Sequence, residues 1–319
     1  MFKRYLAALL CAAAVAASLS ACGGGSDVSG ASGAAGSAAQ PGSLPGGRLK
    51  VSVSFNALKE FTEAVGKDRV DISTIIPDGM EPHDFEPKAQ DLVGLGTAKV
   101  FVYSGLGMEA WAQKAAQSAD NPDLVTVEAS KGAQPIQNAE QGGSGGHGQY
   151  DPHVWISLKG AELEVGNIRD GLVRADPSNR DYYRDYYEKN CSAYTAKLED
   201  LYGQYSAKFK SAKRKNFVTG HAAFAYLCRD FGLEQNSVED VFAEGEPSAR
   251  QLVQLVAYCK AHGVTAVFAE EMTSPEVSQT LAQEVGAKVE TIYTMESAED
   301  NKTYLERAES NLSKIYGSL

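Results

Sequence analysis

Three of the five histidines, His83, His153 and His221, each follow a short polar or proline-marked turn and stand roughly seventy residues apart. The turns are Gly79-Met80-Glu81-Pro82-His83-Asp84-Phe85-Glu86-Pro87, Asp151-Pro152-His153-Val154-Trp155 and Thr219-Gly220-His221-Ala222-Ala223-Phe224. Imidazole is the commonest metal ligand, and three nitrogen donors on one ion favour zinc. Taken singly, each histidine reads as a surface or capping residue; together they suggest one ion gathered from three distant segments. Glu296 could add a carboxylate and close a tetrahedral shell with bonds of about 2.0–2.2 Å.

The elements that must position these residues alternate in type. β-rich runs at Leu49 to Phe55, Val70 to Ile76, Lys99 to Tyr103 and Leu124 to Val127 are separated by helical windows near 56–66, 88–96 and 108–118. The rhythm restarts with strands at Asn216 to Thr219, Val264 to Phe268 and Lys288 to Tyr293, and helical windows near 222–231, 248–262, 275–285 and 300–316. Such alternation means mostly parallel sheets with helices on both faces. Between the halves, Asp176-Pro177-Ser178-Asn179 starts a helix of about thirty residues, roughly 45 Å long at 1.5 Å per residue. Its stripe Tyr183, Tyr187, Tyr194, Leu198, Leu201, Tyr205 and Phe209 reads as packing. In open α/β sheets ligands bind outside the carboxyl ends of strands. His83, His221 and Glu296 all follow such ends, and His153 enters from the loop ahead of a helix at 160–175.

Composition sets the location. Lys3 and Arg4 precede an apolar stretch from Leu6 to Leu19, too short for a membrane span, and Leu19-Ser20-Ala21-Cys22 resembles a bacterial lipoprotein processing site. Residues 1–21 are therefore expected to be a signal peptide and Cys22 the lipidated N-terminus, anchored to the cell membrane on its extracytoplasmic side. Residues 22–47, nearly all Gly, Ser and Ala, read as a disordered tether. Removing residues 1–21 deletes two basic residues and no acid, taking the net charge from −11 to −13. An acidic surface argues against nucleic acid as a partner. Cys191, Cys228 and Cys259 lack CxxC spacing, and a bridge between Cys228 and Cys259 stays open. Gln137 to Gln149, glycine-rich around His147, reads as a loop, with His147 most simply solvated.

The order of motifs resembles the metal-binding lipoproteins of ABC uptake systems, the zinc and manganese cluster (cluster A-I). It runs from Pro77 to Pro87 through Val102-Tyr103-Ser104-Gly105-Leu106-Gly107-Met108-Glu109, Asp151 to Ser157 and Asp176 to Asn179. It continues through His221 to Leu227, Gly245-Glu246-Pro247-Ser248-Ala249 and Phe268-Ala269-Glu270-Glu271. The resemblance implies two α/β domains, 48–177 and 211–319, joined by a long rigid helix at 178–210, with metal in the interdomain cleft. It implies His83, His153, His221 and Glu296 as ligands, while Glu81, Asp84 and Glu86 fall to turns or supporting contacts. The third histidine, a glutamate in manganese-type members, favours zinc over manganese as cargo. The Asn-Pro that usually precedes the acidic ligand in zinc-type relatives is missing here, as is their His-rich loop.

The implied function is capture of extracytoplasmic Zn²⁺ by a monomer and its delivery to a membrane permease driven by a cytoplasmic ATPase. No Walker motif occurs, so the energy source is another chain. A rival reading, an exported zinc hydrolase, needs an open coordination position, which Glu296 would close, and no His-Glu-x-x-His helix is present. Some family members are named adhesins, but no feature of this chain encodes that role. Proton competition at the imidazoles is expected to weaken zinc binding as pH falls toward about 6.5.

Overall fold

The computed structural model describes residues 47–138, 148–177, 180–241, 248–271, 274–298 and 300–319. The signal and tether, Cys22, His147, Ser178, Asn179 and Gly245 to Pro247 lie outside the described residues. Leu44–Leu319 forms one compact unit.

Each half builds a four-stranded, wholly parallel sheet. The first contains β1 (Leu49–Val53), β2 (Val70–Thr74), β3 (Val100–Tyr103) and β4 (Val125–Glu128), in the order β2-β1-β3-β4. The second contains β5 (Asn216–Thr219), β6 (Glu234–Ser237), β7 (Ala266–Glu270) and β8 (Lys288–Ile292), in the order β6-β5-β7-β8. The inner strands β3 and β7 are near-continuous buried runs, as expected where helices cover both faces. The edge strand β6, Glu-Gln-Asn-Ser, has no apolar alternation and so gave no strand signal in the sequence.

The helices are α1 (Asn56–Gly66), α2 (Ala112–Ser118), α3 (Leu158–Ala175), α4 (Arg180–Ser211), α5 (Ala225–Phe231), α6 (Ala249–His262), α7 (Glu276–Val285) and α8 (Tyr304–Ser318). Capping chemistry sets several starts. Ser157 Oγ accepts from Gly160 N–H at 3.0 Å ahead of α3, and Ser248/Gln251 and Thr303/Glu306 form capping boxes. The helix expected near 88–96 is instead a chain of turns ending in a 3-10 turn at Val93–Gly96. There the Asp91 carboxylate accepts the Lys88 N–H, and Gly94 and Gly96 weaken the remaining helical tendency.

One hydrophobic core runs through both halves, joining Phe55, Phe61 and Trp155 to Phe217, Phe268, Met295 and Tyr304. On α4, Tyr187, Leu198, Leu201, Tyr205 and Phe209 are buried in it, each contributing on the order of 2 kcal/mol by removal of apolar surface from water. The segment after β8 is fastened to the first half. Trp155 Nε1–H donates to Thr294 O at 2.8 Å, and Tyr304 OH donates to Trp155 O at 2.6 Å. Cys191, Cys228 and Cys259 are buried free thiols.

Candidate metal centre

The structure brings His83, His153 and His221 together, with one ligand-capable atom from each lying within 4.8 Å of the others. His83 arrives nine residues past β2, beyond a turn in which Gly79 takes φ 84°, a conformation favouring glycine. That turn is pinned from the far half: Gly79 N–H donates to Ser297 Oγ at 3.0 Å. His153 is fully buried at the head of a 3-10 turn, Val154–Ile156. The Asp151 carboxylate accepts both the His153 N–H, at 2.9 Å, and its Nδ1–H, at 2.8 Å. This fixes the ring and leaves a lone pair on Nε2, the arrangement an outer carboxylate gives a metal-binding histidine.

His83 Nε2 and His153 Nε2 stand 3.1 Å apart. Two nitrogens on one tetrahedral zinc would be about 3.3 Å apart, so the pair is nearly at bonding separation. His221, 3% exposed, follows β5 directly. Its Nε2 faces Val241 O at 2.8 Å, so when Nε2 carries the proton, Nδ1 is left as the donor to a cation. Its backbone is held wholly by the second sheet: the N–H donates to Glu270 Oε1 at 2.9 Å, and the carbonyl accepts from Thr219 Oγ1 and Gln235 Nε2. Burial pushes the His221 imidazole down to about 3, with His153 adding to the shift. For His221, then, acidification toward 6.5 brings no proton competition, because a buried ring resists charging.

Glu296 is buried, with Oε1 3.8 Å from His153 Nε2. Among the described residues that Oε1 has no hydrogen-bond partner, while Oε2 accepts from Thr294 Oγ1 at 3.1 Å. Burial raises its carboxyl well above the usual range, and Glu81 and Glu271 push it further. Met295, one residue earlier, is fully buried at φ 64°, a left-handed conformation costing a non-glycine residue on the order of 1 kcal/mol. Glu271 offsets this by accepting the N–H groups of Thr294 and Met295, at 3.0 and 3.2 Å. The first half also grips the segment. Asn56 N–H donates to Glu296 O at 3.2 Å, and Ala298 N–H donates to Asp78 Oδ1 at 3.0 Å.

Burial raises Glu81 and Glu271, and it pushes Glu270 up to about 8. Several desolvated acids therefore lie beside the three imidazoles, and a divalent cation there would favour their ionised forms. In the sequence Glu270 and Glu271 are two acids ending an apolar strand, and only their contacts with His221, Thr294 and Met295 give them roles. His262 sits apart, exposed on α6 with Nδ1 near Tyr258 O.

Two parallel sheets flanked by helices are the fold of metal-binding solute-binding proteins, shared by solved structures at 30–34% identity. Residues 51–318 match the family described as ZnuA, zinc-uptake complex component A, periplasmic, and the chain belongs to that family. It is 44% identical over 277 residues to a Treponema pallidum (strain Nichols) protein named only as metal-binding, covering 84% of this chain and 86% of that protein. It is 37% identical over 287 residues to the high-affinity zinc uptake system protein ZnuA of Bacillus subtilis (strain 168), covering 86% and 88%. Among solved structures, the laminin-binding protein Lmb of Streptococcus agalactiae superposes with a TM-score of 0.76 at 34% identity, over 85% of this chain and 99% of that one. Lmb is described as bifunctional, with adhesin and metal transporting activity. The family is one of metal-binding transport components, not of enzymes.

Proposed function

We propose that this chain captures extracytoplasmic Zn²⁺ through His83, His153, His221 and Glu296 and delivers it to the permease of an ABC importer whose ATPase is a separate chain. The observation that carries this is the gathering of three imidazoles beside a buried carboxylate oxygen that lacks a hydrogen-bond partner among the described residues. Three nitrogens against one oxygen favour zinc over the oxygen-preferring manganese. With Glu296 as fourth ligand no position remains open for a nucleophilic water, which argues against a hydrolase. Cys22 carries the lipid anchor and residues 22–47 the tether, so the protein works at the outer face of the membrane as a monomer.

Release follows from how the ligands are held. His83 and His153 belong to the first half, and the Glu296 segment is hydrogen-bonded to that half through Asn56, Gly79 and Asp78. His221 is carried by β5, β6 and β7. A small displacement of the second sheet moves His221 first, because its backbone is held by that sheet, whereas the Glu296 segment is shared between Glu271 and the first half; affinity falls without dismantling the site. The test is calorimetric titration with Zn²⁺ and Mn²⁺ of the parent and of His83→Ala, His153→Ala and His221→Ala. Each variant is expected to lose at least the roughly 10–100-fold that even outer partners contribute. Retention of parental zinc affinity by all three, or tighter binding of Mn²⁺ than Zn²⁺, would remove the proposal.

A further inference from the structure

The edge of the first sheet opposite the histidines carries a second feature. The N-terminal ends of β1, β3 and β4 open on a cavity of about 640 Å³. Arg48 and Lys50 at the start of β1, Arg69 ahead of β2, Lys99 ahead of β3 and Arg174 in the last turn of α3 line it. Among the described residues, the carboxylates that line it with them are Asp123 and Asp176, in a chain of net charge −11.

Part of this charge is answered locally. Lys99 pairs with Asp123 at 3.3 Å, and Arg69 lies 3.6 Å from Asp68. Arg48 and Lys50 are exposed and, among the described residues, form no ion pair. An excess of cations around a concave surface on an acidic protein is a site for an anion.

Gly47, the first described residue, lines the same cavity, and residues 22–46 precede it in the chain. A Gly/Ser-rich chain of that length has a root-mean-square span of about 25–30 Å. This rests on the lipid-anchor reading above: an anchor at Cys22 would hold this face, before any other, within reach of the lipid headgroups.

We propose that the cavity docks phosphate groups of anionic membrane lipids, so that the anchored protein rests with its histidine edge turned to the solution. The strands are parallel and about 13–17 Å long, so groups at their starts and groups beyond their ends face opposite ways. Each cation at an anionic surface is worth roughly fivefold in partitioning. The resting pose favours capture, and delivery begins when the patch lets go.

The test uses the unlipidated mature chain, residues 22–319 with Cys22→Ser, sedimented with phosphatidylglycerol/phosphatidylcholine vesicles. Binding is expected with anionic vesicles, not with pure phosphatidylcholine, and weakens as salt rises past about 0.1 M. Arg48→Gln with Lys50→Gln lowers it roughly 25-fold, while zinc affinity and the melting temperature stay put. The control Lys197→Gln with Lys210→Gln, exposed on α4, changes nothing. Equal vesicle binding by the Arg48/Lys50 variant, or equal binding to neutral vesicles, overturns the proposal. So does saturable binding of inorganic phosphate that displaces the vesicles, which would assign the cavity to a free anion. Stronger vesicle binding by a chain trimmed to Leu44 also overturns it, since the tether would then be the occupant. Failure of the anchor registers separately, as absence of fatty-acid incorporation at Cys22, and withdraws the resting pose while the vesicle assay still decides the site.

Discussion

Gly220→Ala tests how the second sheet sets His221. A Cβ built on Gly220 clashes with Oε2 of the Glu270 carboxylate, a group that is 4% exposed. The carboxylate must swing aside, and its 2.9 Å bond from the His221 N–H goes with it. Overpacking of this kind costs about 1–3 kcal/mol and the lost hydrogen bond about 1 kcal/mol, so destabilisation of roughly 2–4 kcal/mol is expected. Zinc affinity falls by about 10–100-fold, because a ligand has lost its outer anchor. Urea unfolding of the metal-free protein and chelator competition for zinc read the two effects. Gly203→Ala, on α4 with nothing within 4 Å of its added Cβ, instead raises stability by up to about 1 kcal/mol. Combining Gly220→Ala with Glu270→Ala removes the clashing group, so the double variant is less destabilised than the singles summed. Strict additivity, or a Gly220→Ala protein with parental stability and zinc affinity, would refute the reasoning.

Glu270 also predicts a pH dependence. Burial raises its folded pKa from 4.5 to about 8, so the folded state keeps a proton that the unfolded chain releases. The associated stability is complete below about pH 4.5 and is lost as pH rises toward 8, on the order of 4 kcal/mol in all. Metal-free protein should therefore resist urea better at pH 5.5 than at pH 8, and Glu270→Gln should flatten that difference. Arg307, 1% exposed, bonds Asp300 at 2.7 Å and Glu60 at 3.3 Å. Arg307→Ala leaves Glu60 without its cation, while Asp300 keeps Lys302 at 2.9 Å, and is expected to cost about 3–5 kcal/mol by denaturant titration. A loss below 1 kcal/mol would mean that water already screens the group.

Legibility differed between elements for physical reasons. β3 and β7 are visible because strands buried on both faces must be largely apolar, and β1 because its Leu, Val and Val alternate with Lys50 and Ser52. β6 is not, because an edge strand is stabilised by main-chain pairing to β5 and asks little of its side chains. The turns at 88–96 were misread as a helix because short polar windows carry helical periodicity by chance, and the Asp91 side chain competes with the helical backbone there. The polar turns at His83, His153 and His221 stood out as motifs. Glu270 and Glu271 did not acquire roles until their contacts with His221, Thr294 and Met295 were in view.

By itself the sequence determined the alternating α/β order, the acidic balance, and the three histidines with Glu296 as residues able to share an ion. Periodicity and residue chemistry are local properties, and local properties survive in one dimension. Tertiary structure alone decided that those histidines meet within 4.8 Å and that Asp151 fixes the His153 tautomer. It also decided that the Glu296 segment is hydrogen-bonded to the first half while His221 belongs to the second. Those are distances between residues far apart in the chain, set by how two sheets and one core pack, and no spacing along the sequence encodes them.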